Sequence, residues 1–255
     1  MVVILLQAAE TNCRKALSEA LNLAWKEIGF LIVQANPALR TVLSSASVAT
    51  ANWEKGRIME QEILPALNAP IAALDDWSRR ASSYGSGNAD EETARRKLLQ
   101  KVLEESIRAL TQLYIDALLE PRRWDGGRRL GSGGSGSIEW VAQVVSNDAQ
   151  LLTVYLTDFL SDDDVECILR DVDVLHAVAE LLLAPLDGGA FVDIVHARFG
   201  QSLINNGALE KSAPLEFAKR VLAVRDSKGR YEAVALALER PMGIVAGGHA
   251  DARHA

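Results

Sequence analysis

At 255 residues the chain is long enough for one large core or two modest ones, and aromatic residues make up only 5% of it. Apolar content carried mainly by Ala, Leu and Val suits helix-on-helix packing and argues against a β-sandwich. The net charge of −7 is uneven: residues 1–130 hold 17 Lys and Arg against 16 Asp and Glu, whereas residues 138–255 hold 10 against 18, a balance that argues against nucleic acid as partner of the second part.

The opening Met1 to Leu6 is apolar but has no basic flank and no small-residue cleavage site, so it is not read as a signal peptide. From about Thr11 to Gln34, Leu17, Leu21, Trp25, Ile28 and Ile32 recur in steps of four, four, three and four. That spacing predicts one amphipathic helix with these residues on its core face. Asn36-Pro37 ends it and starts the next, with Asn36 as N-cap and Pro37 at the first helical position. Leu39, Val42, Leu43 and Ala46 are predicted to face the core. A third segment runs from about Asn52 to Leu64, and Pro65 and Pro70, each lacking a backbone donor, predict a kink or short break before helix resumes through Ile71, Leu74 and Trp77.

The longest periodic stretch runs from Asp90 to Leu119. Its apolar positions are Leu99, Val102, Leu103, Ile107, Leu110, Leu113, Tyr114 and Leu118; Asp90 to Glu92 suit its N-terminal dipole, and Pro121 closes it. Residues 1–121 therefore read as an antiparallel helical bundle. Residues 122–137 read as a flexible tether, with Gly131 to Ser137 made of Gly and Ser alone. Such a segment is a random coil spanning on the order of 15 Å. Its purity is that of a joint engineered to replace a loop or connect two pieces; a natural linker is the competing reading.

Residues 138–242 read as an acidic multi-helix half, irregular or solenoid-like, built of short segments. These are Trp140 to Val145, Ala149 to Leu160 capped by Asn147 or Asp148, Asp162 to Arg170, Val172 to Ala184, Phe191 to Phe199, Leu215 to Val224 and Tyr231 to Glu239. The last pair could instead be a β-hairpin, but its Ala and Glu content favours helices. Residues 243–255 are expected to be a disordered tail. The fold class predicted for the whole is all-α.

No phosphate-binding loop, dinucleotide fingerprint or nucleophile elbow occurs, and no cofactor is expected. Arg95-Arg96-Lys97 and the arginine pairs at Arg122 and Arg128 lack interleaved aromatics and read as solvated charges. The sharpest chemical candidate is a repeated Asp-x-x-His, with Asp173 and His176 in one copy and Asp193 and His196 in the other. Helical spacing of three puts each carboxylate and imidazole on one face, where two pairs could bind a metal. Weighed against that, Asp173, His176 and Glu180 also form the polar stripe of an ordinary solvated helix face. Asp162 to Asp164 stand at a helix start, where acidic residues act as caps. Cys13 and Cys167 have no ligand pattern around them and read as buried free thiols of a reducing cytoplasm.

The function expected is that of a non-enzymatic intracellular interaction or regulatory protein, cytoplasmic and bacterial. It would bind another protein, one with a basic surface opposite the acidic half, with self-association left open. The alternatives are a metal-dependent enzyme built on the two Asp-x-x-His pairs, and a trimmed helical subunit of a larger assembly. No run of about 18 apolar residues occurs, so no membrane span is expected.

Overall fold

The computed structural model describes residues 2–44, 57–83, 89–119, 138–159, 162–186, 189–199, 213–225 and 234. The tether and the tail lie outside the described residues. Those described are almost entirely helical and contain no strand. The class is all-α. Among them no helix is long and apolar enough to cross a membrane.

The first helix, α1 (Val2–Val33), begins well before the periodic stretch. Asn36 then caps α2 (Pro37–Ser44), its Oδ1 accepting from the backbone N–H of Ala38 at 3.0 Å and Leu39 at 3.3 Å. Leu39 and Leu43 are buried and Val42 half-buried, as the spacing predicts, while Ala46 lies outside the described residues.

The break expected at Pro65 and Pro70 does not occur. A π-helical turn, Met59–Ile63, leads directly into α3 (Leu64–Ser83), which runs through both prolines. Pro65 falls in the first turn of α3, where a missing N–H costs least. Pro70 leaves the carbonyl of Ala66 without its usual donor, and the Asn36 Nδ2 amide supplies one at 2.9 Å. One side chain thus caps α2 and completes α3.

The fourth helix, α4 (Ala89–Leu118), is the centre of the packing: α1, α2 and α3 lie against it, and so does one helix from beyond the tether. Val102, Leu103, Ile107, Leu110, Tyr114 and Leu118 are buried, with Leu99 and Leu113 half-buried. Arg95 on α4 ties it to α3 through Asp75 and also holds Glu92, one turn back, at 2.5 Å. Arg95 and Arg96 hold the Glu92 carboxyl down to about 2.

Beyond the tether two long helices replace the four short ones expected. These are α5 (Ile138–Phe159) and α6 (Asp162–Leu183). Asn147 does not cap a helix, because its Oδ1 accepts from Gln143 Nε2 within α5 at 3.0 Å. Asp148 does not either, because it turns inward to a partner on α4. The helices α5 and α6 pack on each other, α6 on α4, and α5 on the π-helical turn.

Packing therefore divides the chain elsewhere than composition does. One compact unit spans Met1–Leu183 and includes α5 and α6; the other spans Ala184–Ala255. In the second unit Gly189 takes φ of +84°, a conformation that Gly adopts without strain, and opens α7 (Ala190–Phe199). The last helix, α8 (Ala213–Arg225), packs on α7, with the Arg225 guanidinium 6.0 Å from the centroid of the Phe191 ring. The stretch Arg220–Val224 is helical and not a hairpin strand; of the proposed second strand only Val234 is described, also as helix.

Candidate functional site

The two Asp-x-x-His pairs fall on different helices in different compact units. Asp173 and His176 lie on α6 in the first, Asp193 and His196 on α7 in the second. Asp173 is exposed and His176 half-buried, one turn from buried Leu175, Ala179 and Leu182, which is the arrangement of a helix with one wet side. Asp193 is exposed, and the side chain of His196 lies outside the described part of the molecule. Among the described residues no three or more His, Cys, Asp or Glu are grouped so as to hold a metal ion.

Two other features stand out, and neither is signalled by a motif. The first is the surface of α1. The periodicity predicts that Leu17, Leu21, Trp25, Ile28 and Ile32 all face the core, but only Ile32 is buried; Trp25 and Ile28 are half-buried. Leu17 is 62% exposed and Leu21 45%, and on other sides of the helix Leu23 is 69% exposed and Leu31 55%. The reason lies in where α1 meets α4. From Cys13 onward, where side chains are described, burial gathers at the C-terminal end of α1 around Gly29, Ile32 and Val33, and every residue from Cys13 to Ala24 is exposed. Cys13 is accordingly an exposed free thiol, not a buried one.

At that buried end the backbones come close. A Cβ on Gly29 would stand 2.7 Å from Glu105 Cβ and 2.8 Å from the Glu105 carbonyl carbon. Beside the crossing, α1, α2 and α4 enclose an open cavity of about 420 Å³. Phe30, Leu43, Leu113 and Ala117 give it an apolar lining, and Gln34, Arg40 and Asp116 give it a polar rim. Phe30 remains 47% exposed at the edge of this cavity.

The second feature is a polar layer inside the first unit. Arg108, Thr111 and Tyr114 follow one another at helical spacing along α4. The Tyr114 hydroxyl, on a fully buried side chain, donates to Asp148 Oδ2 at 2.6 Å. Asp148 is itself fully buried, and burial pushes its carboxyl up to about 7, while the Tyr114 hydrogen bond pulls the other way. Burial also drives the Tyr114 hydroxyl well above its usual range, with the Asp148 charge adding to the effect.

Asp171 on α6 lies 3.4 Å from Arg108 Nε, a charge contact without hydrogen-bond geometry. The same guanidinium also serves Glu104 at 3.2 Å and Glu105 at 2.9 Å. Burial raises Asp171 to about 6 despite the arginine. Among the described residues four atoms here are buried without a hydrogen-bond partner: Arg108 Nε, Thr111 Oγ1, Asp148 Oδ1 and Asp171 Oδ2. Native interiors hold few of these.

Asp148 and Asp171 were legible only as charges inside otherwise apolar helical spacing, a signal easily taken for helix ends. Comparison with protein-family models, curated proteins and solved structures finds no match to this chain.

Proposed function

We propose that this chain is a non-enzymatic helical interaction protein, and that the exposed apolar surface of α1 docks another protein. The observation that carries this reading is the exposure of Leu17, Leu21, Leu23 and Leu31 on one helix. Each such side chain gains about 1.5–3 kcal/mol when fully covered, so a helix that exposes Leu17 and Leu21 together, with Leu23 and Leu31 on other sides, is stabilised by a partner that covers it. An amphipathic segment of a partner would lie along α1 and set one apolar anchor into the cavity beside Phe30, with Arg40 and Asp116 meeting its polar flank. The acidic excess of residues 138–255 favours a partner with a basic surface. An unpaired exposed Cys13 accords with a reducing cytoplasm.

The test is affinity capture of the tagged full-length chain from a lysate of its source, with mass spectrometry and elemental analysis on one eluate. The wild-type chain is expected to retain a stoichiometric protein without metal. A Leu17→Glu/Leu21→Glu variant, unchanged in circular dichroism, is expected to lose it. Metal at one or two equivalents with no bound protein, lost in Asp173→Ala and His196→Ala, would overturn this reading in favour of a metal enzyme.

A further inference from the structure

The buried contact between Tyr114 and Asp148 does something that the docking surface does not need. It joins α4, which precedes the Gly/Ser tether in the chain, to α5, which follows it. An apolar pair would hold two helices there at less cost, since a buried carboxylate is strongly penalised when charged. Here the carboxylate has one donor at 2.6 Å and one oxygen with none. Thr111 Oγ1, one turn N-terminal to Tyr114 on α4, is likewise buried and unpartnered. We infer that this contact is a proton-operated fastening: a protonated Asp148 closes the α4–α5 joint, and loss of that proton loosens it.

The groups around the joint support a response set by Asp148. From α4 come Tyr114 itself and, farther along, Arg108 with Glu104 and Glu105. On α6, Asp171 is buried against Arg108, while Asp173 is exposed and His176 and Glu180 are half-buried on its wet side. On the π-helical turn Glu60 is exposed and Glu62 half-buried, and neither these nor the α6 groups shift the Asp148 carboxyl. What moves the Asp148 carboxyl is its burial, opposed by the hydrogen bond from Tyr114, and among the described residues no cation shifts it towards the charged form.

The direction follows from linkage. Asp148 has its ordinary value of 3.8 in an unfolded or opened chain and about 7 in the closed one. A raised folded value means that the closed state holds the proton more tightly. Its contribution is complete below about pH 4 and is lost as pH rises through about 7. Between pH 5 and pH 8 the closed-to-open ratio is expected to fall on the order of a hundredfold from this group. Most of that change falls between pH 5 and pH 7, where a modest rise in pH loosens the hold of α5 on α4 while α6 stays packed on α4.

The experiment is hydrogen exchange on the full chain at pH 5, 6, 7 and 8, corrected for intrinsic rates, with urea denaturation at each pH. In the wild-type protein, protection of α4 and α5 is expected to drop by about that factor. Asp148→Asn, nearly isosteric and neutral, should remove that part of the drop. Tyr114→Phe deletes the hydrogen bond that favours the charged form, and should move the midpoint to higher pH. The same pH slope in wild type and Asp148→Asn would overturn the inference, as would protection that rises with pH. Should Asp148→Asn fail to fold, an unmoved midpoint in Tyr114→Phe overturns it alone. Loss of docking in the α1 variants bears on none of these outcomes.

Discussion

Asn36 shows how much one side chain can carry. Its Oδ1 caps α2 and its Nδ2 donates to the Ala66 carbonyl, the acceptor that Pro70 cannot serve. Asn36→Ala removes both and is expected to destabilise by about 2 kcal/mol, roughly half from the cap and half from the lost donor. Asn36→Asp keeps the cap and loses only the donor, so its expected cost is about 1 kcal/mol. The same change in a Pro70→Ala background should cost much less, because residue 70 then donates to Ala66 within α3. Urea unfolding of this double-mutant cycle measures the coupling, and a value near zero would mean the contact contributes nothing.

The N-cap was legible because it is local: Asn-Pro before an apolar spacing dictates it. The Nδ2 contact was not, because it joins residues 30 apart in the chain. The same distinction explains Asp148. Locally Asn147-Asp148 reads as a helix start, but α5 runs on through both, and the Asp148 side chain meets Tyr114, 34 residues away.

Among elements, the crossing of α1 and α4 decides which faces are buried. Gly29 admits the backbone of α4 at Glu105 and Ser106, leaving no room for a methyl group. Gly29→Ala improves helix propensity by up to about 1 kcal/mol, but its Cβ would meet backbone that cannot yield. The net expectation is a loss of about 1–2 kcal/mol and a widened α1–α4 crossing, measured by thermal unfolding. A more stable variant would mean that α1 slides freely on α4.

The period of α1 was readable from Leu17, Leu21, Trp25, Ile28 and Ile32, yet its burial was not. Periodicity states which residues share a face; it does not state how far along the helix a neighbour extends. In α4 the two coincide, since neighbours cover Val102 through Leu118. In α1 they part company at Ala24, and the uncovered remainder becomes the candidate docking surface.

For the whole molecule, the boundary of the compact unit matters most. The Gly/Ser stretch invites a division at the tether, but α6 packs on α4 and Tyr114 bonds to α5, so the first unit continues to Leu183. A fragment of residues 1–183 is expected to unfold cooperatively in urea. A fragment of residues 1–121 uncovers the side of α4 that bears Arg108, Thr111 and Tyr114. Several apolar side chains worth about 1.5–3 kcal/mol each lose their cover, against a total stability of roughly 5–15 kcal/mol. It is expected to lose cooperative unfolding; a sharp transition in the shorter fragment would place the boundary back at the tether.

The sequence by itself determined the helical class, the helical course of α1, α2 and α4, the α2 cap and the polar side of α6. All of these arise from neighbours within a few residues, through helical spacing and backbone capping. Only the tertiary structure decided that α3 runs through two prolines, that α5 and α6 are each continuous, that α1 is uncovered from Cys13 to Ala24 and that Asp148 is buried. Each of those depends on a contact between residues far apart in the chain, and local spacing carries no record of which distant side chain will supply a missing donor or cover an apolar face.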